Sequence, residues 1–529
     1  MSEMTGRFSE IVGNANLLTG DAIPEDYAHD EELTGPPQKP AYAAKPATPE
    51  EVAQLLKAAS ENGVPVTARG SGCGLSGAAR PVEGGLLISF DRMNKVLEVD
   101  TANQVAVVQP GVALTDLDAA TADTGLRYTV YPGELSSSVG GNVGTNAGGM
   151  RAVKYGVARH NVLGLQAVLP TGEIIRTGGR MAKVSTGYDL TQLIIGSEGT
   201  LALVTEVIVK LHPRLDHNAS VLAPFADFDQ VMAAVPKILA SGLAPDILEY
   251  IDNTSMAALI STQNLELGIP DQIRDSCEAY LLVALENRIA DRLFEDIQTV
   301  GEMLMELGAV DAYVLEGGSA RKLIEAREKA FWAAKALGAD DIIDTVVPRA
   351  SMPKFLSTAR GLAAAADGAA VGCGHAGDGN VHMAIACKDP EKKEEAHDRH
   401  LCSRNGIGWR DLWRTRRRPG QNRLFPRAGR PGQDQPHAPY QAELRSGGHP
   451  QPRRCLRRHL STDKSRPDQG RSSAGQQACK SRAQHLRGQL GPPVVKADFP
   501  RICPVSPMQR RSPLFIRRLP VASRHDVAC

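Results

Sequence analysis

Residues Tyr131 to Met150, YPGELSSSVGGNVGTNAGGM, combine glycine, asparagine and small hydroxyl residues in a pattern suited to holding a dinucleotide. Glycines let the backbone approach a pyrophosphate closely, and the amides of such turns form an anion-binding nest. The candidate contacts are Pro132, Gly133, Glu134, Ser138, Gly140, Gly141, Asn142, Thr145, Asn146, Gly148 and Gly149. A second cradle lies upstream in PVTARGSGCGLSGAARP, where an apolar run ends in Arg69, Gly70, Ser71, Gly72, Cys73, Gly74 and Ser76. No Gly-Lys-Ser/Thr follows, so this is not a nucleotide P-loop. A third segment, GSEGTLALVTEVIVKLHP from Gly196, is read as a turn at Glu198 and Gly199 leading into a strand whose backbone at Val204 could meet an adenine. One such loop is as readily a plain turn between strands. Three in this order predict a bound flavin nucleotide. Cys73 reads as a small loop filler, since nothing near it in sequence would lower its pKa.

A different chemistry is suggested by GHAGDGNVH, Gly374 to His382. Its sharp turn between two apolar runs predicts a hairpin that brings His375 and His382 together. Two histidines and a carboxylate would suit Zn²⁺ or Mn²⁺. Two structural histidines on a hairpin are the equal alternative from spacing alone.

Together these motifs resemble the FAD-binding fold of the vanillyl-alcohol oxidase / p-cresol methylhydroxylase (PCMH-type) family, in its branch of glycolate oxidase FAD subunits, D-lactate dehydrogenases and D-2-hydroxyglutarate dehydrogenases. The resemblance runs from about Asp30 to about His397 and includes KYGVARHNVLGLQAVLPTGEIIRTGG, STGYDLTQLIIGSEGTL and the histidine hairpin. It implies FAD, held non-covalently because no histidine occupies the first cradle, and it implies that His375 and His382 are metal ligands. It also implies oxidation of a small 2-hydroxy acid, glycolate or D-lactate in type, by hydride transfer to flavin N5. Such a reaction needs a cation for the carboxylate and a base for the hydroxyl proton. Arg349 in DTVVPRASMP matches a substrate-binding arginine of the family, and Lys335 in FWAAKALG is a weaker candidate; either could instead be a solvated surface cation. An iron–sulfur subunit as electron acceptor is a further implication. Rival readings keep the fold but assign an alkyl-glycerone-phosphate synthase or UDP-N-acetylenolpyruvoylglucosamine reductase type of reaction.

The elements that must position these residues follow from patterning. Thr48 and Glu51 form a capping box, with Val52, Leu55, Leu56 and Ala59 on one helical face and Asn62-Gly63 as the stop. Short strands follow, at Gly85 to Phe90, Lys95 to Val99 and Val105 to Val108. The fold class is α+β. An N-terminal segment (1–29) precedes a two-lobed FAD-binding domain (30–215) and an antiparallel-sheet, ferredoxin-like cap (216–400) that binds substrate. In the cap, helices are read over Phe228 to Ala240, Ala290 to Leu307, Ser319 to Leu337 and Ser351 to Ala365. No apolar run is long enough to span a membrane and the start lacks a signal peptide, so a cytoplasmic location is expected.

The zero formal charge of the 529 residues conceals a split: residues 1–400 hold 33 Lys+Arg against 53 Asp+Glu, and residues 401–529 hold 27 against 7. The tail carries 24 Arg and 3 Lys, is rich in Pro and Gln, and loses apolar periodicity, so it is expected to be irregular or disordered. A basic tail could bind nucleic acid in a non-catalytic protein. The genetic code offers another account. Trp is encoded only by TGG, so Trp409-Arg410 and Trp413-Arg414 give glycine when read one base later. In that frame GWRDLWRTRRRP can be read G-G-E-I-S-G-E-H-G-V-G, and RSGGHPQPRR from Arg445 can be read D-P-A-G-I-L-N-P-G. Both motifs are expected from the family, the first carrying the third metal ligand and the histidine base. A frameshift near His397 to His400 is therefore expected, and no nucleic-acid partner. As written, the chain lacks the base, and its oxidation of a 2-hydroxy acid should be impaired.

Overall fold

A computed structural model describes residues 3–387, except 34, 337, 340 and 366, together with a two-residue strand at Arg517–Arg518. The expectations for the rest of the tail, and for a frameshift near His397, lie outside the described residues.

The first lobe is a four-stranded sheet in the order Leu17–Thr19, Tyr42–Ala44, Leu86–Ser89, Val66–Arg69, with the last two pairings parallel. Its strand Leu17–Thr19 comes from the segment before residue 30, so that segment is built into the sheet. The crossover helix Pro49–Glu61 starts as its capping box requires: Thr48 Oγ1 accepts from Glu51 N at 3.2 Å, and Glu51 Oε2 accepts from Ala47 N at 2.7 Å. Val52, Leu55, Leu56 and Ala59 are buried against the sheet. The second lobe is a five-stranded antiparallel sheet in the order Val96–Asp100, Val105–Val108, Leu203–Lys210, Val162–Val168, Ile174–Gly178.

The cap is one eight-stranded antiparallel sheet, running Asp341–Val346, Asn380–Cys387, Gly368–Gly374, Ile247–Asp252, Ala279–Asn287, His217–Phe225, Tyr313–Glu316, Arg517–Arg518. Alternation along Ala279–Asn287 sends Leu281, Val283 and Leu285 to one face and Tyr280 and Leu282 to the other. Helices Phe228–Ala240, Ala290–Glu306 and Met352–Ala365 cover the first face; Asn253–Gln263 and Gly318–Glu328 cover the second. The single helix expected over Ser319 to Leu337 is two, Gly318–Glu328 and Ala330–Ala336, with Lys329 closing the first.

The lobes and the cap are joined by a buried charge cluster. Glu286, 3% exposed on the cap, pairs with Arg127 and with Lys154 at 3.2 Å, and accepts from the Tyr155 hydroxyl. Burial pushes the Glu286 carboxyl up, but Tyr155, Arg127 and Lys154 outweigh it and hold the group below the usual carboxylate range. Glu286→Ala is expected to destabilise the protein by roughly 3 kcal/mol, because it strands Arg127 in a desolvated site. Urea unfolding of the FAD-loaded protein measures this.

Candidate active site

The three glycine-rich loops converge on one cleft of about 1890 Å³, and the histidine hairpin forms its far wall. Two serines lace the first loop to the second: Ser138 Oγ accepts from Ser71 N at 3.3 Å, and Ser71 Oγ accepts from Ser138 N at 3.1 Å. The third loop is tied to the second by Glu198 N, which donates to Gly144 O at 2.8 Å, and by Gly196 N, which donates to Val143 O at 2.9 Å. Ser76 Oγ also reaches Glu198 Oε1 at 3.3 Å. Glu198 is held at φ 50°, a left-handed conformation rare for a non-glycine residue, which these contacts maintain.

Every cofactor residue expected from sequence lines the cleft except Arg69. The Arg69 side chain turns away: Nη1 donates to His29 O at 2.7 Å and the guanidinium stacks 5.2 Å from the Tyr27 ring centroid. It supports the loop from behind, where a Cβ on Gly72 would collide with it. The cradle fits a dinucleotide. Gly144 has no foreign atom nearer than 4.0 Å to an added Cβ, which leaves room beside its backbone, and the buried polar atoms Asn142 Nδ2 and Ser137 Oγ have no protein partner. Cys73 lies in the first loop beside Ser71 Oγ at 3.1 Å, with its thiol pushed up mainly by burial. It is thus a poor thiolate, in keeping with a filler.

Strand Gly368–Gly374, a turn through Gly379, and strand Asn380–Cys387 bring His375 and His382 together, with Nε2 atoms 3.2 Å apart and ring planes at 80°. His375 Nδ1 lies 2.5 Å from Glu249 Oε1, and Arg327 Nη2 lies 2.7 Å from Glu249 Oε2. Glu249 is fully buried and Arg327 is 6% exposed, yet Arg327 reaches the cleft wall. Burial pushes Glu249 up, but His375 and Arg327 more than compensate, so it is held below the usual range. Burial drives His382 down to about 4, and drives Asp378, also in the wall, up to about 6.

Two expectations are corrected. Arg349 is exposed and outside the cleft wall; its Nε donates to Gly377 O at 2.5 Å, so it braces the hairpin turn. Lys335 is also outside the wall, paired with Glu31 at 2.8 Å and lying 5.1 Å from the Trp332 ring centroid. As to the expected metal, among the described residues no group of three or more His, Cys, Asp or Glu could hold an ion, and the third ligand expected of the shifted frame lies outside them. Two imidazoles fall short of the three protein ligands of a catalytic zinc site. Arg327 and Glu249 were missed in the sequence. Their signal was a charge inside an apolar stripe, Arg327 four residues after Leu323 on a buried helix face and Glu249 within the apolar strand ILEYID.

A dinucleotide cradle of two small lobes closed by an antiparallel cap defines a flavin-dependent oxidoreductase. Residues 40–178 match the family "FAD binding domain", and residues 214–402 match "FAD linked oxidases, C-terminal domain". The chain belongs to the FAD-linked oxidoreductases, among relatives named glycolate oxidase and D-lactate dehydrogenase. It is 99% identical over 395 residues to an "uncharacterized FAD-linked oxidoreductase" of Mycobacterium tuberculosis, covering 75% of this chain and 86% of the relative. It is 37% identical over 405 residues to the D-lactate dehydrogenase of Anaerostipes hadrus, covering 74% and 83%. It is 38% identical over 341 residues to glycolate oxidase subunit GlcD of Bacillus subtilis, covering 64% and 71%. The fold is shared with p-cresol methylhydroxylase solved with substrate bound, at a TM-score of 0.63 and 16% identity over 75% of this chain and 86% of that one. No helix among the described residues is long and apolar enough to cross a membrane.

Gly144→Leu should fill the open side of the cradle and weaken FAD binding by at least about tenfold, or 1.4 kcal/mol, in a fluorescence titration of apoprotein. His382 should remain neutral down to about pH 5, since charging it would put an imidazolium in a partly desolvated wall. A histidine titration followed by NMR checks this.

Proposed function

We propose that this protein oxidises a small 2-hydroxy acid of the glycolate or D-lactate type with FAD as the electron acceptor. The observation that carries the reading is that a buried arginine, Arg327, and a paired-imidazole site open into the same cleft as the three dinucleotide-binding loops. The names of the A. hadrus and B. subtilis relatives support it. FAD held by the loops around Ser71, Asn142 and Glu198 would supply a two-electron acceptor for the substrate's α-hydrogen. The chain's own residues supply the rest. Arg327, always charged, offers N–H donors to a carboxylate while Glu249 keeps its charge balanced in the wall. His375 and His382 lie where one ring nitrogen could take the hydroxyl proton, and the burial that keeps His382 neutral preserves its capacity to accept. Electrons would leave through a partner, and an iron–sulfur subunit remains the proposed acceptor, since the GlcD relative is itself named a subunit.

The proposal includes the frameshift near His397 to His400. The M. tuberculosis relative supports it: identity of 99% over 395 residues leaves part of both chains unmatched, as a change of reading frame would. The E-H-G motif of the shifted frame would then return a glutamate and a histidine to the site.

Sequencing the coding DNA across His397 to Arg453 is expected to find one base missing or extra; an intact frame overturns that part of the reading. In the frame-restored protein, D-lactate or glycolate should bleach the flavin under anaerobic conditions. Arg327→Met should lower kcat/KM by about 100-fold, or about 2.7 kcal/mol, the scale of a charge-assisted hydrogen bond. Failure of every short 2-hydroxy acid to bleach the flavin would remove the substrate assignment.

A further inference from the structure

A pyrophosphate is an anion, and the cleft wall beside the glycine-rich loops is itself acidic, lined by Asp30, Glu31, Glu32, Glu83, Glu134 and Glu198. Among the described residues, the arginines and lysines that line the cleft are Arg80 and Arg327. Arg80 is taken up by Glu32 at 3.0 Å, and Arg327 belongs to the far wall. Two further arginines, Arg69 and Arg159, stand outside the cleft lining, each against the backbone of a loop.

Arg69 ends strand Val66–Arg69 with its side chain only 6% exposed, and a Cβ on Gly72 of the first loop would collide with its guanidinium. The group donates from Nη1 to His29 O at 2.7 Å and lies 5.2 Å from the Tyr27 ring centroid. The carboxylate that faces it, Asp26, is 3.8 Å away and largely exposed to water. An arginine stays charged in such a place, so a buried guanidinium with one distant, solvated carboxylate keeps a positive charge that the protein leaves poorly compensated. Arg159 repeats the arrangement at the third loop. It is partly buried, its Nη2 lies 3.6 Å from a Cβ built on Gly196, and its Nε is buried with no hydrogen-bond partner among the described residues.

We propose that Arg69 and Arg159 are a cationic backing of the cofactor loops, supplying counter-charge to the pyrophosphate of FAD through the loop backbone without touching it. A unit charge in a poorly hydrated site acts across one thickness of backbone, because the effective dielectric there is far below that of water. The backing offsets the acids of the wall, which would otherwise repel the same anion. This role lies in cofactor retention and is independent of the substrate that the protein oxidises.

The test titrates full-length apoprotein with FAD, read by fluorescence, and with ADP, read by calorimetry; ADP carries the pyrophosphate without the flavin ring. Arg69→Met should weaken both ligands by a similar factor, on the order of 10- to 30-fold, the scale of one unit charge several ångströms from another at the effective dielectric of a protein. Arg69→Lys keeps the charge and gives up the guanidinium fork, and should stay within about threefold of the wild type for both ligands. The melting temperature of the Arg69→Met apoprotein should not fall, since a buried charge without a close partner adds little to folding. Arg159→Met and Arg159→Lys should behave in the same way. Weakened FAD with unchanged ADP, lysine variants no better than the methionine ones, or wild-type binding of both ligands by either methionine variant overturns the proposal. A methionine apoprotein that melts lower while its lysine counterpart fails to restore affinity marks a purely structural arginine and overturns it too. If Arg69→Met does not fold, Arg69→Lys and the two Arg159 variants decide by the same measurements.

Discussion

A carboxylate with no exposure to water must be answered on every side, and the far wall of the cleft is organised around answering Glu249. Its partners come from two other elements: Arg327 from the last turn of helix Gly318–Glu328, and His375 from the hairpin that follows strand Gly368–Gly374. Moving any one of them leaves a charge desolvated and unpaired. The break of the expected long helix after Lys329 fits this demand, since Arg327 lies at the end of the first piece, directed into the wall.

The cofactor side obeys a weaker but similar rule. Backbone amides hold a pyrophosphate only when several loops keep a fixed spacing. Here the spacing is kept by hydrogen bonds between loops that are far apart in sequence, Ser71 with Ser138 and Glu198 with Gly144. The segment after the second loop carries Lys154 and Tyr155, which grip Glu286 of the cap. Cradle and cap are therefore linked within a few residues of the same loop, and the cleft between them is held by charge pairs rather than by an apolar seam alone.

Much of this was legible beforehand where the signal was local. Glycines that must turn sharply, the Thr48–Glu51 box and the apolar stripe of Pro49–Glu61 are read from neighbours a few residues away, and they appear as expected. The hairpin that joins His375 to His382 is local too. Arg349 and Lys335 misled because a cation near a motif in sequence says nothing about the direction of its side chain. Arg349 spends its guanidinium on Gly377 O, and Lys335 pairs with Glu31, about three hundred residues away in the chain.

By itself the sequence determined the type and order of the local devices: three glycine-rich loops, alternating cap strands and a two-histidine turn, because φ preferences and hydrophobic periodicity act over a few residues. The tertiary structure alone decided which charges face the cleft. Glu249 and Arg327 are 78 positions apart and unremarkable in the chain, and only the packing of a helix against the sheet buries them together. Burial turns such charges from solvated surface groups into a fixed, mutually dependent pair, and that change of environment depends on long-range contacts no local pattern records.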